Sequence, residues 1–593
     1  MNVANQTTRG GWAGTVLSGA VSWEVKRRAI LAVYVIGALG FAALALHRVW
    51  SLSHPFDDAF ISFRYADNLA RGRGVVYNPG EPVEGYTNFL WVLLTAGGVT
   101  LGLDPLDVAL FLGKAAFVAS VVGCALLIFR GTRNHASDVL GLAPLAWLVF
   151  ATDYEKFAAS GLETTFFGAQ LVAFAAVEFL GGSEGKRRWL WLHSLLPTTI
   201  VMTRPDGVLF VAAGILVISI ASLRAHRITS TWLSSLGATA LSLLLRYGVF
   251  LAAMVCHGVW KVLYYGSLIP NTAWAKRAND SLWESGLAYL KAFPDSYPHV
   301  LILLVLAIVA VGCPPQPHLR RLVAWGGLSI AAFLLYLAKV GGDFMHYRFA
   351  FEIYPLLVGF AGLGLLALAR LSTAVAAGCA ALAFAQGPGA PELEHEFGMQ
   401  SIPDMVRYAE EGKRVGTVLR EKTPPETILA TTLAGTIAYY GDRVTIDQWG
   451  LNDRYVARLP GGTGRGHMKK APAEYLRSRN VNLELGHPHI IRCSEAEREA
   501  AKEKDGAEAL VNVRLSGGDC LKTKYLVRTP ELTRWFCDRP ADFVLDGVAC
   551  SSEVSAKASS ESPSVPVSPA AKGNKMMHRT LARPRAPLEP ATE

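Results

Sequence analysis

The sequence is short of charge, and it lacks the short motifs of the common soluble enzymes. Of its 593 residues only 18% are charged, 51% are hydrophobic, and the mean hydropathy is +0.29. Soluble domains carry about 25% charged residues, so the composition indicates that lipid is part of the solvent. The chain contains no His-Glu-x-x-His or zinc motif, no Gly-x-Ser-x-Gly or P-loop in a strand–helix context, and no internal repeat. These absences argue against the usual hydrolases, metalloproteases and nucleotide-binding enzymes.

Basic stripes and paired cysteines of the CxxC type are also missing. The net charge of +9 comes from cations scattered in short loops between apolar runs. Such a distribution indicates the membrane topology, and it predicts no nucleic-acid partner. Four cysteines lie in or beside apolar runs and are expected to be core residues: Cys124, Cys256, Cys313 and Cys379. Four more lie in the polar C-terminal part, where an extracytoplasmic location would permit three disulfide pairings: Cys493, Cys520, Cys537 and Cys550.

Apolar runs fill residues 29–387, and they predict a polytopic α-helical membrane protein. We expect eleven spans, near 29–48, 107–129, 138–152, 164–181, 189–203, 207–222, 232–256, 298–312, 322–340, 351–369 and 372–387. The basic triplet 26–28 precedes the first span and predicts a cytoplasmic N-terminus with an uncleaved first helix. If the apolar stretch 86–103 is half-embedded in the outer leaflet and does not cross the membrane, every basic loop lies on the cytoplasmic side, as the positive-inside rule requires.

This topology leaves nearly all unusual polar sequence on the outer face. The first outer loop opens with Asp57 and Asp58, and adjacent carboxylates can act as a general base or bind a divalent cation such as Mg²⁺, Mn²⁺ or Ca²⁺. Capping of the amphipathic helix that follows is an equal alternative for Asp57. Glu84, Tyr86 and Asn88 stand at the head of the half-embedded helix, where carboxylate, ring and amide suit sugar binding; an interfacial aromatic belt explains Tyr86 equally well.

The remaining outer loops carry isolated ionisable residues at depths where charge is costly. Glu163 stands where a span enters lipid, and Arg204 with Asp206 joins two spans, as a site or as a structural ion pair. Lys276 and Arg348 break the positive-inside pattern. A lipid phosphate would give them a partner, although snorkelling to ordinary headgroups is the safer interpretation for a single lysine.

These loops resemble the GT-C superfamily of polyprenyl-phosphate-sugar glycosyltransferases, and among them the terminal β-(1→2)-arabinofuranosyltransferases. The resemblance covers roughly residues 25–490 and is sharpest from Asp57 to Trp91. Further similar segments are 160–164, 203–207, 264–276, 341–349, 449–453 and 466–469. It implies a GT-C-like fold of about eleven spans plus a half-embedded helix, in the cell (inner) membrane, with the active site and a C-terminal domain on the extracytoplasmic side.

The resemblance also implies an activity, which is inverting transfer of a sugar from a polyprenyl-phosphate donor to a hydroxyl of an envelope glycan or glycoconjugate. Asp57 or Asp58 would be the base, and a divalent cation near the pair is compatible with this role. The donor phosphate would be bound by cations: Arg64, Arg204, Lys276 and Arg348. Sugar and acceptor hydroxyls would be bound by Glu84, Tyr86, Asn88, Glu163, Asp206, Asn271, Asp343 and His467. Arabinofuranose is the first expectation for the sugar, and another such as mannose is the alternative.

The C-terminal part reads as a water-soluble domain. We expect a cytoplasmic segment at 1–25, the membrane domain at 26–387, a linker at 388–400, an α/β domain at 401–555 and a disordered tail at 556–593. A solvent-exposed loop is the commoner setting for a histidine such as His467. Two further function classes stay open, a lipid-linked-sugar flippase or transporter and a non-catalytic envelope assembly protein. The polar motifs on one face and the absence of repeated halves disfavour the transporter.

Overall fold

The computed structural model describes residues 11–133, 135–180, 190–227, 231–276, 282–387, 399–461, 469–486 and 490–550. Its first part is a bundle of helices, and a helix stands at every position where a span was expected. The helices are α1 Gly11–Trp50, α2 Asp57–Ala70, α3 Phe89–Thr100, α4 Pro105–Phe129, α5 Ala143–Val149, α6 Thr152–Ala158, α7 Thr164–Leu180, α8 Leu190–Thr203, α9 Val208–Arg227, α10 Trp232–Tyr265, α11 Asn271–Ala275, α12 Trp283–Ser296, α13 His299–Gly312, α14 Arg320–Val340, α15 Arg348–Glu352, α16 Tyr354–Leu371 and α17 Thr373–Ala385.

Helix length limits the number of spans that the described residues support. Six helical stretches are long and apolar enough to cross a membrane, and the number rises to eight if two bent helix pairs each count as one span. Eleven spans were expected; the difference arises because α7, α8 and α17 have only 17, 14 and 13 residues. A comfortable crossing needs about 20 residues. The chain is a multi-pass membrane protein.

The half-embedded helix has the predicted character. Helix α3 has 12 residues, which at 1.5 Å per residue is too short to cross the ~30 Å of a bilayer core. It packs against α2 and α4, and its Trp91 is buried, with the indole nitrogen donating to the Gly161 carbonyl at 3.0 Å. This hydrogen bond anchors α3 to the segment that precedes α7.

Helix α16 is the centre of the bundle. It is buried along most of its length, and it packs closely against α13. A Cβ atom at Gly364 would lie 1.8 Å from the carbonyl oxygen of Leu306, so only glycine permits this approach of the two backbones. Small residues at such contacts are how membrane helices pack without a hydrophobic driving force.

The C-terminal part is an α/β domain, as expected. Its helices are α18 Ile402–Lys422, α19 Thr436–Gly441, α20 Arg454–Ala457, α21 Ala473–Ser478, α22 Glu495–Asp505 and α23 Pro530–Cys537. Its strands are β1 Leu429–Thr431, β2 Thr445–Asp447, β3 Leu483–Leu485, β4 Ile490–Arg492, β5 Leu510–Arg514, β6 Asp519–Tyr525 and β7 Phe543–Asp546. The strand order is β2-β1-β3-β6-β5-β7, with β4 paired to β6, and β1 is parallel to both of its neighbours.

The membrane helices and the described part of the α/β domain up to Val548 belong to one compact unit. Most of the predicted linker and the whole predicted tail lie outside the described residues, so those boundaries stay predictions. In the α/β domain Cys493 and Cys520 form a disulfide, and Cys537 and Cys550 are also disulfide-bonded. The four cysteines of the apolar part are free. Disulfides are typical of an oxidising, extracytoplasmic compartment.

Candidate active site

Helix α2 presents the acidic pair at its N-terminus. The helix begins at Asp57, and the residue before it, Phe56, occupies the N-cap position without a side-chain cap. The capping interpretation of Asp57 is therefore wrong, because its carboxylate does not bond to its own helix. Both acids still lie in the first turn, where the helix dipole favours negative charge.

Asp57 is bonded to the α/β domain. Its Oδ1 accepts from the Thr436 backbone N–H at 2.7 Å and from the Thr436 hydroxyl at 2.5 Å, while Oδ2 accepts from the Gly435 N–H at 3.0 Å. Burial raises the pKa of Asp57 to about 7, and these three hydrogen bonds oppose the rise. The carboxylate thus joins α2 to the start of α19, and three of its roughly four acceptor positions are occupied.

Asp58 has a different environment. Its carboxylate makes no hydrogen bond or ion pair with any residue that the structure describes, and it lines a cavity. Burial raises the pKa of Asp58, and the positive charges of Lys276 and Arg348 lower it. A general base needs a raised pKa, access to the substrate and a free acceptor oxygen. Asp58 meets these conditions among the described residues.

This cavity, here called the Asp58 cavity, lies between the membrane helices and the α/β domain. Its volume, including the part open to solvent, is about 490 Å³. The membrane part contributes Phe56, Asp57, Asp58, Ile61, Phe344 and Met345, and the rest of the lining comes from 400–408, 432–434 and 447–451. The last two segments follow strands β1 and β2, and the carboxyl ends of parallel strands are a common place for ligands.

Two cavity residues, Asp447 and Trp449, were not among the predicted site residues. Asp447 accepts from the backbone N–H groups of Trp449 and Asn452, both at 2.9 Å, and from the Asn452 amide at 3.0 Å. Burial raises its pKa to about 6. Trp449 is half-buried and offers a ring face of the kind on which sugars stack. The signal available in the sequence was an acidic residue and an aromatic residue two positions apart, next to the 449–453 segment of the resemblance.

A buried network of carboxylates and guanidinium groups adjoins Asp58. Glu163 is its centre, and its carboxylate accepts from Arg204 at 3.1 Å and from Arg348 at 2.5 Å. The Asn88 amide donates to its other oxygen at 2.9 Å. Burial alone would raise the pKa of Glu163, but Arg348 and Arg204 outweigh burial and lower it. The structure therefore brings four predicted site residues together.

The remaining contacts of this network decide which cation is available to a ligand. Arg204 also pairs with Asp206 at 2.9 Å and with Glu352 at 2.8 Å, so the structural ion pair between Arg204 and Asp206 is present. Lys276 interacts electrostatically with Asp58 and makes no ion pair with a described residue. Its side chain is exposed.

Asp343 lies on a strained loop beside the cavity. Its Oδ2 accepts from the Phe349 N–H at 3.2 Å, and burial raises its pKa to about 6. His346 and Tyr347 adopt φ values of 41° and 58°, in the left-handed region that costs a non-glycine residue about 1–2 kcal/mol. The His346 ring stabilises this conformation through a 3.0 Å contact with Asp153.

Four predicted residues lie away from the Asp58 cavity. Arg64 donates to three backbone carbonyls and to Asn78, so its guanidinium ties the first outer loop to the α/β domain. Tyr86 is buried against Tyr265. Glu84 and Asn271 line a second, smaller cavity. His467 lies outside the described residues.

A divalent cation does not fit the acidic pair well. No group of three or more His, Cys, Asp or Glu side chains within the described residues is arranged to bind a metal. Asp57 already accepts three hydrogen bonds, and no third acidic, cysteine or histidine side chain among the described residues joins the pair as a ligand group.

The fold is that of a GT-C-like membrane protein with a C-terminal α/β domain, as expected. The chain is similar in structure to ArnT from Cupriavidus metallidurans bound to undecaprenyl phosphate. The TM-score is 0.52 at 12% sequence identity, over 84% of this chain and 99% of that chain. At this identity the likeness concerns the fold.

In sequence the chain is similar to the terminal β-(1→2)-arabinofuranosyltransferase of Mycobacterium tuberculosis, with 28% identity over 334 residues, 50% of each chain. The same enzyme of Corynebacterium glutamicum is 27% identical over 352 residues, 53% of this chain and 48% of the relative. The chain thus spans about half the length of these relatives. Residues 402–531 match a family described as a domain of unknown function, DUF8728. The expected resemblance is confirmed.

Proposed function

We propose that this protein is a membrane glycosyltransferase that moves a sugar from a polyprenyl-phosphate donor to an acceptor hydroxyl. The observation that carries the proposal is the asymmetry of the acidic pair: Asp57 is bonded to the α/β domain, whereas Asp58 is open to the cavity. The names of the sequence relatives support a sugar transferase, and arabinofuranose is the sugar they suggest. The ArnT structure holds undecaprenyl phosphate, which supports a lipid-phosphate donor.

In the proposed reaction Asp58 accepts the proton of the acceptor hydroxyl. The hydroxyl oxygen then attacks the anomeric carbon of the donor from the face opposite the phosphate. The bond between that carbon and the phosphate oxygen breaks, and polyprenyl phosphate leaves with the electron pair, so the configuration inverts. Asp58 suits the first step because burial raises its pKa and nothing described blocks its oxygens.

Lys276 is the proposed ligand of the donor phosphate. It is exposed, close enough to Asp58 for electrostatic interaction, and free of carboxylate partners among the described residues. Arg348 and Arg204 already share Glu163, so they orient the site and supply positive potential. A cation at the phosphate stabilises the charge that develops as the leaving group departs.

The acceptor is expected on the α/β side of the cavity. Asp447 is the last residue of strand β2, Trp449 follows the strand, and both line the same cavity as Asp58. A ring for a sugar face and polar groups for its hydroxyls would position an envelope glycan there. The reaction and the α/β domain would then lie on the extracytoplasmic side. The disulfides of the α/β domain agree with this, because disulfides form in oxidising compartments outside the cytoplasm.

The test is transfer by the purified full chain supplied with polyprenyl-phosphate arabinofuranose, or with polyprenyl-phosphate mannose, and an arabinan acceptor. Asp58→Asn should lower kcat by about 10²- to 10⁴-fold, the usual contribution of a general base. Asp107→Asn, at an exposed position in the first turn of α4, is the matched control. Unchanged kcat in Asp58→Asn would refute the role of Asp58.

The donor comparison decides between the sugars. Transfer from the mannose donor alone would establish the alternative sugar. Movement of intact lipid-linked sugar across reconstituted vesicles, without transfer, would instead identify a flippase.

A further inference from the structure

A second cavity lies on the other side of the segment 449–453 from the Asp58 cavity. The Asn271 amide fixes this wall by donating to the carbonyls of Gly450, Leu451 and Asp453 at 2.8–3.1 Å. The cavity has a volume of about 240 Å³, including its part open to solvent. Its lining includes Glu84, Ser267, Ile269, Trp274, Arg454 and Arg458. We call it the Arg454–Arg458 pocket.

Two cations of this pocket have no carboxylate partner among the described residues. Arg454 and Arg458 are four positions apart on and just after α20, so they share one face, where like charges repel. Arg454 donates to the carbonyls of Pro82 and Tyr265 at 3.0 and 2.6 Å. Arg458 lies 5.7 Å from the centre of the Trp274 ring. Burial and the repulsion by Arg458 both lower the pKa of Arg454.

The acid in the pocket does not neutralise this pair. Glu84 lies 2.9 Å from the Lys261 ammonium, and those two opposite charges compensate each other. The pocket therefore keeps the two positive charges of the arginines. Both side chains are exposed, so a ligand can reach them.

The surface next to the pocket is apolar. Along the last turns of α10 the side chains of Val255, Val259, Val262 and Leu263 are 49–81% exposed, at the spacing of one helix face. Leu268 and Ile269 continue this surface at 60% and 48% exposure, and Ile269 lines the pocket itself. In a membrane protein such a face contacts acyl chains, while Trp260 and Trp274 suit the interface.

We propose that the Arg454–Arg458 pocket binds the phosphate headgroup of an anionic phospholipid whose acyl chains lie along the exposed face of α10. The two guanidinium groups can donate to the oxygens of a phosphate diester and attract its negative charge, and the adjoining hydrocarbon surface matches the chains. The segment 449–453 separates the pocket from Asp58, so a sugar donor bound there would not meet the proposed base. This favours a phospholipid over the donor.

The test measures phospholipid retained by the purified full chain, and it does not depend on transferase activity. The protein is exchanged into detergent with phosphatidylglycerol, and native mass spectrometry counts the bound lipid; phosphatidylcholine and undecaprenyl phosphate are the comparison lipids. Each arginine near an anionic lipid is worth ~1 kcal/mol, which corresponds to about fivefold in affinity. Arg458→Gln should therefore weaken phosphatidylglycerol binding by about fivefold, and the variant that also carries Arg454→Gln more strongly.

Arg539→Gln is the matched control, because Arg539 also stacks on a tryptophan, at 3.4 Å from the Trp535 ring, in another part of the α/β domain. It should retain phosphatidylglycerol like the unchanged protein. Arg458 makes no described backbone hydrogen bond through its side chain, so its single variant should fold even if the double variant does not. Equal retention in Arg458→Gln would overturn the proposal, as would undecaprenyl phosphate displacing phosphatidylglycerol from the pocket.

Discussion

Replacing Asp57 by asparagine should loosen the contact between α2 and the α/β domain. The aspartate receives only donors, from the Gly435 N–H, the Thr436 N–H and the Thr436 hydroxyl. An asparagine keeps one acceptor oxygen, and the NH₂ group that it turns toward the donor on the other side cannot accept a hydrogen bond, whereas the hydroxyl oxygen of a protonated aspartate still can. A buried donor left without an acceptor costs about 1–3 kcal/mol, so local opening at 435–436 should become about 5- to 150-fold more frequent.

The effect should depend on pH, and its sign follows from the pKa. Burial raises the pKa of Asp57 from the ordinary 3.8 to about 7, so the folded protein favours the neutral acid. The stability gained from the neutral form is fully present below pH 3.8 and is lost as the pH rises through about 7. The loss is at most roughly 4 kcal/mol, less because the side chain is partly exposed to the cavity. Asparagine does not ionise and shows no such loss.

Hydrogen–deuterium exchange of the purified protein in detergent measures this directly. The amides of Gly435 and Thr436 should exchange faster in Asp57→Asn, and the difference from the unchanged protein should be larger at pH 5 than at pH 8. Asp107→Asn serves as control, because it removes an exposed charge from the first turn of α4. Equal exchange in Asp57→Asn and the unchanged protein at both pH values would refute the proposed link.

Three further predictions test the site and the fold. Lys276→Gln should raise KM for the polyprenyl-phosphate donor several-fold, leaving KM for the acceptor alone; the reverse pattern would refute the phosphate role. Asp153→Asn removes the charge that orients His346, so a protease should cleave the strained loop at His346 and Tyr347 faster. Asp153→Glu keeps the charge and should be cleaved at nearly the normal rate; equal cleavage of both variants and the unchanged protein would contradict this. Cys493→Ser with Cys520→Ser opens a loop closed across a sequence separation of 27, which should cost about 3–4 kcal/mol; an unchanged midpoint in thermal denaturation contradicts it.

Apolar run length and strand alternation were enough to predict much of this architecture. Helices stand at all expected spans, and the segment 86–103 contains a helix too short to cross the bilayer. The expected α/β domain is present, and it begins with the alternation α18, β1, α19 and β2. The count of eleven spans exceeds the six to eight that helix length supports, because short apolar helices in the interior of a bundle look like spans in sequence.

The amino-acid sequence by itself determined the class of protein and the acidic pair, because hydropathy and adjacent carboxylates are local properties. Only the tertiary structure distinguished Asp57 from Asp58, since the partner of Asp57 lies 379 residues away at Thr436. It likewise engaged Arg204 and Arg348 with Glu163, whereas Lys276 makes no ion pair with a described residue. Which charges compensate each other is decided by distance in the folded chain, which spacing along the sequence does not encode.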